Sequence, residues 1–460
     1  MISILVLTCV LLALLIIGMM WRQAARGEVD LLSVRNFFLV GFIIFQVTAT
    51  TVPLLTGEYH DCPPPGNVGK AATIYLFILV LFLVFFLMLY KHGLRSERIA
   101  YRLVHRFPAI GLNATLILAA VILGFAIPCR FIFIRLPFIG ANFMYLSVGF
   151  FALAAGLAAW AWAPRLMNIA VAFPAAAIIG IAGLGSMSQS FGRRFILGVL
   201  IACIWGAYHS AWQHLGFRQA CIRLMIVGMA GVALLASYTS VRNADFRDLS
   251  GVGVAKALAG GNIKSGVLNL LSGQYAPAFS MWLIEERFES KQYDLLHSVK
   301  LVLTLPIPRS IYPDKPEGLA ITIPRELNVR KKAKEYNVGP GLVGHIVNDN
   351  PWISFIPYVL ILAFSIRLLD NMTTYGRYSS LAIMPCGVAI GQIIALPRGE
   401  LGTFFAAATI ATAGSYLIML FARGVFRRLN LTQEIPDAPA EDQPEYVDDQ
   451  PYGYGIEPVY

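Results

Sequence analysis

Four prolines within residues 306–317, Pro-Ile-Pro-Arg309-Ser-Ile-Tyr-Pro-Asp314-Lys315-Pro-Glu317, lead into Gly318 and forbid a helix there. Each removes a backbone donor and confines the residue before it to extended conformations. A stiff loop of this kind holds a guanidinium, a carboxylate and an ammonium in fixed relation, which suits an anionic, oxygen-rich ligand. Arg325 follows in Pro324-Arg325, and Arg398 stands in the short sequence Pro397-Arg398-Gly399-Glu400 between two apolar runs. Guanidinium groups keep their charge and make bidentate contacts to phosphoryl oxygens, so Arg309, Lys315, Arg325 and Arg398 form a candidate diphosphate-binding set. A plainer reading has Arg398 lying at a membrane interface and Arg309 pairing with Asp314. A group for proton transfer would come from Asp314, Glu317, His345 or Glu400, which rank equally.

The elements that must position these residues are apolar. The chain has 460 residues, 57% of them hydrophobic and only 13% charged, which gives an all-α polytopic membrane protein. Runs long enough for a ~30 Å hydrocarbon core occur at 2–21, 37–55, 71–90, 110–128, 137–162, 168–187, 195–212, 221–240, 351–369, 379–397 and 401–421, about eleven transmembrane helices. The first reads as an anchor and not a cleaved signal, because no basic residue precedes it and Arg22 and Arg26 follow it. Short-loop Lys and Arg number sixteen on one side and six on the other. The positive-inside rule then puts the N-terminus and the loop at 241–350 outside and the C-terminus in the cytoplasm. The net charge of +10 lies mostly in these loops as a topology signal, so nucleic acid is excluded as a partner.

Four regions follow: spans one to eight over 1–240, one large external loop over 241–350, spans nine to eleven over 351–421, and a tail over 422–460. Within the loop, 252–271 suits a helix on the membrane surface, and 276–289 and 293–303 read as amphipathic helices packed on the outer face. The basic cluster Arg330, Lys331, Lys332 and Lys334 comes next, followed by Gly339-Pro340-Gly341. From Thr432 the tail is acidic and proline-rich without Lys or Arg, which reads as disordered. Five cysteines lie in or at the ends of apolar runs and Cys62 lies in a loop, with no disulfide framework and no metal-ligand spacing. The spans as bounded hold no Asp or Glu, which argues against proton- or cation-coupled transport.

The many-helix amino-terminal part, the single large loop with Pro308-Arg309-Ser-Ile-Tyr-Pro-Asp-Lys315-Pro316, the Gly341-Leu-Val-Gly-His345 segment before the next span, and Arg398-Gly-Glu400 together resemble the Wzy-type polymerases. These are the O-antigen and oligosaccharide repeat-unit polymerases of bacterial surface polysaccharide assembly. Tyr312 stands where that family commonly has Trp, and His345 with Asn348-Asp349-Asn350-Pro351 stands where Glu and Asn-Phe-Gly are frequent. The resemblance implies a GT-C-like scaffold in the bacterial cytoplasmic membrane. On its outer face, a glycan would pass from one undecaprenyl-diphosphate carrier to a hydroxyl of another. It implies no cofactor, no nucleotide and no metal, with Asp314, His345 or Glu400 in catalytic roles. Its partners would be lipid-linked oligosaccharides, membrane lipid, and a flippase and chain-length regulator of the same pathway. An O-antigen ligase shares the donor and competes with this reading. A lipid-linked oligosaccharide flippase would need polar residues along the spans, where His209 and Gln392 stand nearly alone.

Overall fold

In lipid, every backbone polar group must be satisfied internally, and the apolar runs accordingly become helices. The computed structural model describes residues 1–59, 62–92, 95–137, 139–187, 194–241, 276–327 and 339–433. The helices are α1 Ile2–Ala25, α2 Val34–Phe42, α3 Ala49–Thr56, α4 Val68–Lys91, α5 Ser96–Val104, α6 Leu112–Phe131, α7 Gly140–Trp162, α8 Ile169–Met187, α9 Arg194–Ala207 and α10 Phe217–Val241. The series continues with α11 Ala276–Ser290, α12 His297–Thr304, α13 Leu319–Glu326, α14 Gly341–Asn348, α15 Pro351–Gly376, α16 Ser380–Ile393 and α17 Leu401–Arg428. A π-helical stretch, Ile43–Thr48, joins α2 to α3, and another, Tyr208–Trp212, extends α9.

Among the described residues, ten helices are long and apolar enough to cross a membrane. The tenth expected run, 379–397, forms a shorter helix than the others. Its helix, α16, has only 14 residues before the chain turns, and all 14 are buried. Such a helix rises about 21 Å and is wrapped by protein, chiefly α7, α9 and α17. Small residues allow this close packing: a Cβ added at Gly391 of α16 would lie 2.3 Å from Gly198 Cα of α9. In contrast, α1, α8 and α10 leave most of their apolar surface outside the bundle, as helices facing lipid do.

Two details of the large loop differ from expectation. The helix expected over 276–289 is present as α11, but only its second half has an exposed side. The first half of α11, from Ala276 through Met281, is buried against α4 and α14, so this part of the large loop folds into the bundle. The helix expected over 293–303 begins at His297, because Leu296 takes a left-handed φ of 57° just before it. Cys62 lies in a loop as expected and is buried there, with its Sγ near the carbonyl oxygens of Pro63 and Ala278, and burial pushes its thiol up to about 12.

Asp370 lies one residue beyond the expected end of its span, but α15 continues to Gly376 and carries the carboxylate into the protein. It accepts from the backbone N–H groups of Val34 (2.6 Å) and Arg35 (3.1 Å) and from Tyr90 Oη (2.8 Å). The acid thereby caps the first turn of α2 from another helix, which offsets the cost of burying it. At the same end of the bundle, Ala109–Ile110 pairs antiparallel with Thr432–Gln433, so the first residues of the acidic tail are ordered. The expected surface helix at 252–271, the cluster Arg330–Lys334 and the tail from 434 lie outside the described residues.

Candidate functional site

Three segments far apart in sequence meet at the end of the bundle where α17 begins. Gly339-Pro340-Gly341 crosses the turn Pro397–Glu400 so closely that a Cβ at Gly339 would fall 2.3 Å from the Gly399 carbonyl carbon. Gly341 has a φ of +71°, which favours glycine, and its Cβ would strike the Gln46 amide and the Pro397 carbonyl. That carbonyl accepts from Leu342 N–H at 3.0 Å and from the Gln46 side chain. The glycines of this motif are therefore there for backbone crossing, and the crossing starts α14 at a fixed height.

On α14, His345 is fully buried between two neighbours. Leu401 N–H donates to Nε2 at 3.1 Å, which leaves Nδ1 as the protonated nitrogen, donating to Ser298 Oγ at 2.7 Å. Burial, aided by the charge of His297, holds its pKa at about 3, so the ring is neutral and both nitrogens are engaged. Glu400 lies 3.6 Å away, measured from Oε1 to Nε2, yet Oε1 has no hydrogen-bond partner. Its Oε2 accepts from Ala320 N–H at 2.7 Å, which seats the carboxyl at the N-terminus of α13. Burial pushes Glu400 up to about 7, against the pull of the Ala320 and Leu319 backbone bonds.

Sequence reasoning missed two members of this buried layer. Asp349 accepts from Ser298 N–H (2.9 Å), Asn348 Nδ2 (3.1 Å) and Tyr358 Oη, and burial raises its carboxyl despite these bonds. His297 has Nδ1 2.5 Å from Asp294 Oδ2, and its Nε2 donates to the Glu317 carbonyl at 2.7 Å. The three-residue spacing of Asp294 and His297 at a helix start was the available signal.

The proline-rich loop lies over this layer. Lys315 Nζ donates to the carbonyls of Leu305 (2.7 Å) and Ile307 (3.1 Å), closing the loop on itself. Its pKa is lowered by burial and then by the charge of Arg309. The carboxylate that Arg309 meets is Glu317, at 4.0 Å, and not Asp314, which is exposed. Arg325 approaches the other oxygen of Glu317 at 2.9 Å. Both guanidinium side chains stay more than half exposed, at 52% and 62%, so the pairs are weak and the cations are open to another anion. Loop and buried layer touch at Gly318, where a Cβ would come 3.0 Å from Glu400 Cδ. Arg398 has its guanidinium 5.8 Å from the centroid of the Phe45 ring.

The structure thus gathers Arg309, Lys315 and Arg325 around one loop, with Glu400 and His345 beneath it. Among the described residues, no three His, Cys, Asp or Glu side chains are grouped to hold a metal ion. No family model, characterised protein or solved structure matches this chain.

Proposed function

We propose that this chain is a membrane glycosyltransferase that polymerises undecaprenyl-diphosphate-linked oligosaccharide repeat units into a surface polysaccharide. It would act on the outer face of a bacterial cytoplasmic membrane. The observation that carries this reading is that the three patches resembling Wzy-type polymerases, remote in sequence, meet around Glu400. In the reaction, the bond between the anomeric carbon and the diphosphate oxygen breaks, and the acceptor hydroxyl bonds to that carbon. Arg309 and Arg325 neutralise the charge that grows on the departing diphosphate, a term worth a few kcal/mol for each well-placed donor. Glu400 takes the hydroxyl proton through Oε1, and a pKa near the working pH suits a general base. His345, with both nitrogens occupied, positions the backbone next to Glu400 by accepting the Leu401 N–H. No cofactor enters this scheme. A flippase that delivers the donor and a regulator of chain length are the partners it calls for.

The test is a polysaccharide ladder on a gel for Arg309→Ala, Arg309→Lys, Arg325→Ala, Arg398→Ala and Glu400→Gln, with membrane levels checked. Arg309→Ala and Glu400→Gln should leave single repeat units on the acceptor, whereas a failed ligase would leave none. Lysine at 309 should rescue poorly, because a point charge replaces a bidentate fork. Wild-type ladders from both Arg309→Ala and Glu400→Gln would sink the assignment.

A further inference from the structure

The end of the bundle opposite Glu400 holds a cavity of about 640 Å³ that the proposed transfer does not use. It opens between the Ala109–Ile110 strand, the end of α7, the π-helical stretch Tyr208–Trp212 and the chain after α15. Arg165, Arg377, His209 and His214 all line it, and no Asp or Glu is among its described lining residues. Asp30, which accepts from the neighbouring Tyr208 hydroxyl at 2.6 Å, is not part of the wall.

The walls are built and not merely basic. Arg165 is fixed by Nη1 donating to Asn113 Oδ1 at 2.7 Å and by Nε and Nη2 donating to the Ala161 carbonyl at 3.4 Å each, which leaves one N–H on each terminal nitrogen to offer. The Arg377 guanidinium lies 4.8 Å from the centroid of the Tyr378 ring, which also lines the cavity. His209 is 2% exposed and rests edge-on against Trp205 and Tyr208. Its Nδ1 meets Gln213 Oε1 at 3.2 Å, and its Nε2 is buried with no hydrogen-bond partner. Because Nδ1–H donates to that amide oxygen, Nε2 carries the lone pair, and His209 serves as a packed wall of the cavity. It sits in a π-helical insertion, a departure from α geometry that recurs at ligand sites.

We propose that this cavity binds a phosphate group, carried by a soluble compound or by a lipid headgroup, with Arg165 and Arg377 on its oxygens and His214 beside them. Two guanidinium groups at one open cavity, with no carboxylate among its described lining residues, match a doubly charged, oxygen-rich ligand. The site is separate from the proline-rich loop and does not depend on the transfer reaction.

The test uses the full chain purified in detergent in phosphate-free buffer, with the unfolding temperature followed against inorganic diphosphate and, in parallel, against dioctanoyl phosphatidic acid. A saturable rise is expected. A rise with diphosphate alone assigns a soluble phosphate, a rise with the lipid alone assigns a headgroup, and a rise with both shows that the site reads only the phosphoryl group. Arg165→Gln and Arg377→Gln should each weaken the apparent affinity by about tenfold or more. His214→Gln changes an exposed ring and serves where an arginine variant fails to fold; it should weaken binding several-fold. The Arg309→Ala, Arg325→Ala double variant should keep the response, which separates this cavity from the loop. No rise with either probe, or a rise that all three cavity variants leave unchanged, overturns the proposal.

Discussion

Glu400 Oε1 and His345 Nε2 lie 3.6 Å apart and do not form an ion pair, because Nε2 already accepts the Leu401 N–H and the ring is neutral. The carboxyl is left with one satisfied oxygen and one unsatisfied oxygen in a dry setting. Burial, outweighing the Ala320 and Leu319 backbone bonds and the charge of His297, then raises its pKa.

Glu400 should make stability depend on pH in a specific window. Its folded-state pKa is raised from 4.5 to about 7, so between those values the folded protein keeps a proton that the unfolded chain has released. Stability falls as pH rises through that window, by up to roughly 3 kcal/mol, and levels off above it. Unfolding temperatures of the detergent-solubilised protein from pH 5 to 8 should show this slope, and Glu400→Gln should flatten it. A slope unchanged in the variant would remove Glu400 as its source. Activity, if Glu400 is the base, should rise with pH across the same region and lose that dependence in the variant.

Cysteine reactivity should report the fold and the orientation together. Cys62 should resist a membrane-impermeant maleimide on intact cells until the protein is denatured, since it is buried and its thiol is pushed up to about 12. Ser310→Cys, on the exposed loop, should label at once if that loop faces outward. Labelling of Ser310→Cys in inverted vesicles but not in cells would reverse the orientation.

Asp370→Ala should cost about 3 kcal/mol or more, because two backbone N–H groups and the Tyr90 hydroxyl lose their acceptor in a buried site. Asp370→Asn should cost less, since one amide oxygen remains to accept. Thermal unfolding of the purified variants gives the comparison, and equal stability for wild type and Asp370→Ala would contradict the capping role.

Much of this architecture was legible because length and apolarity suffice to specify helices in a membrane. The proline-rich loop was legible for a similar local reason, and it is non-helical as its prolines require. Glu400, His345 and Arg309 could be singled out from short motifs, but their surroundings could not. What decides them is the crossing of Gly339 over Gly399, a contact between residues 60 positions apart that leaves only a preference for glycine as its trace. The pairing of Arg309 with Glu317 instead of Asp314 follows from how the loop closes through Lys315, which composition does not encode. Asp349 and His297 were missed because each is polar next to an apolar run, where solvation is the default expectation. That α16 is wrapped by protein was not legible, because hydropathy cannot tell a protein neighbour from a lipid tail.

The shortness of α16 bears on how deep the chemistry lies. A 14-residue helix falls roughly 9 Å short of a hydrocarbon core, which under the proposed reading would set the turn that follows it, with Arg398 and Glu400, in a recess. A substrate anchored by its own hydrocarbon tail could meet that recess by sliding sideways through the leaflet. Its diphosphate would not have to be drawn out into water, and a water-soluble sugar donor would have the longer approach.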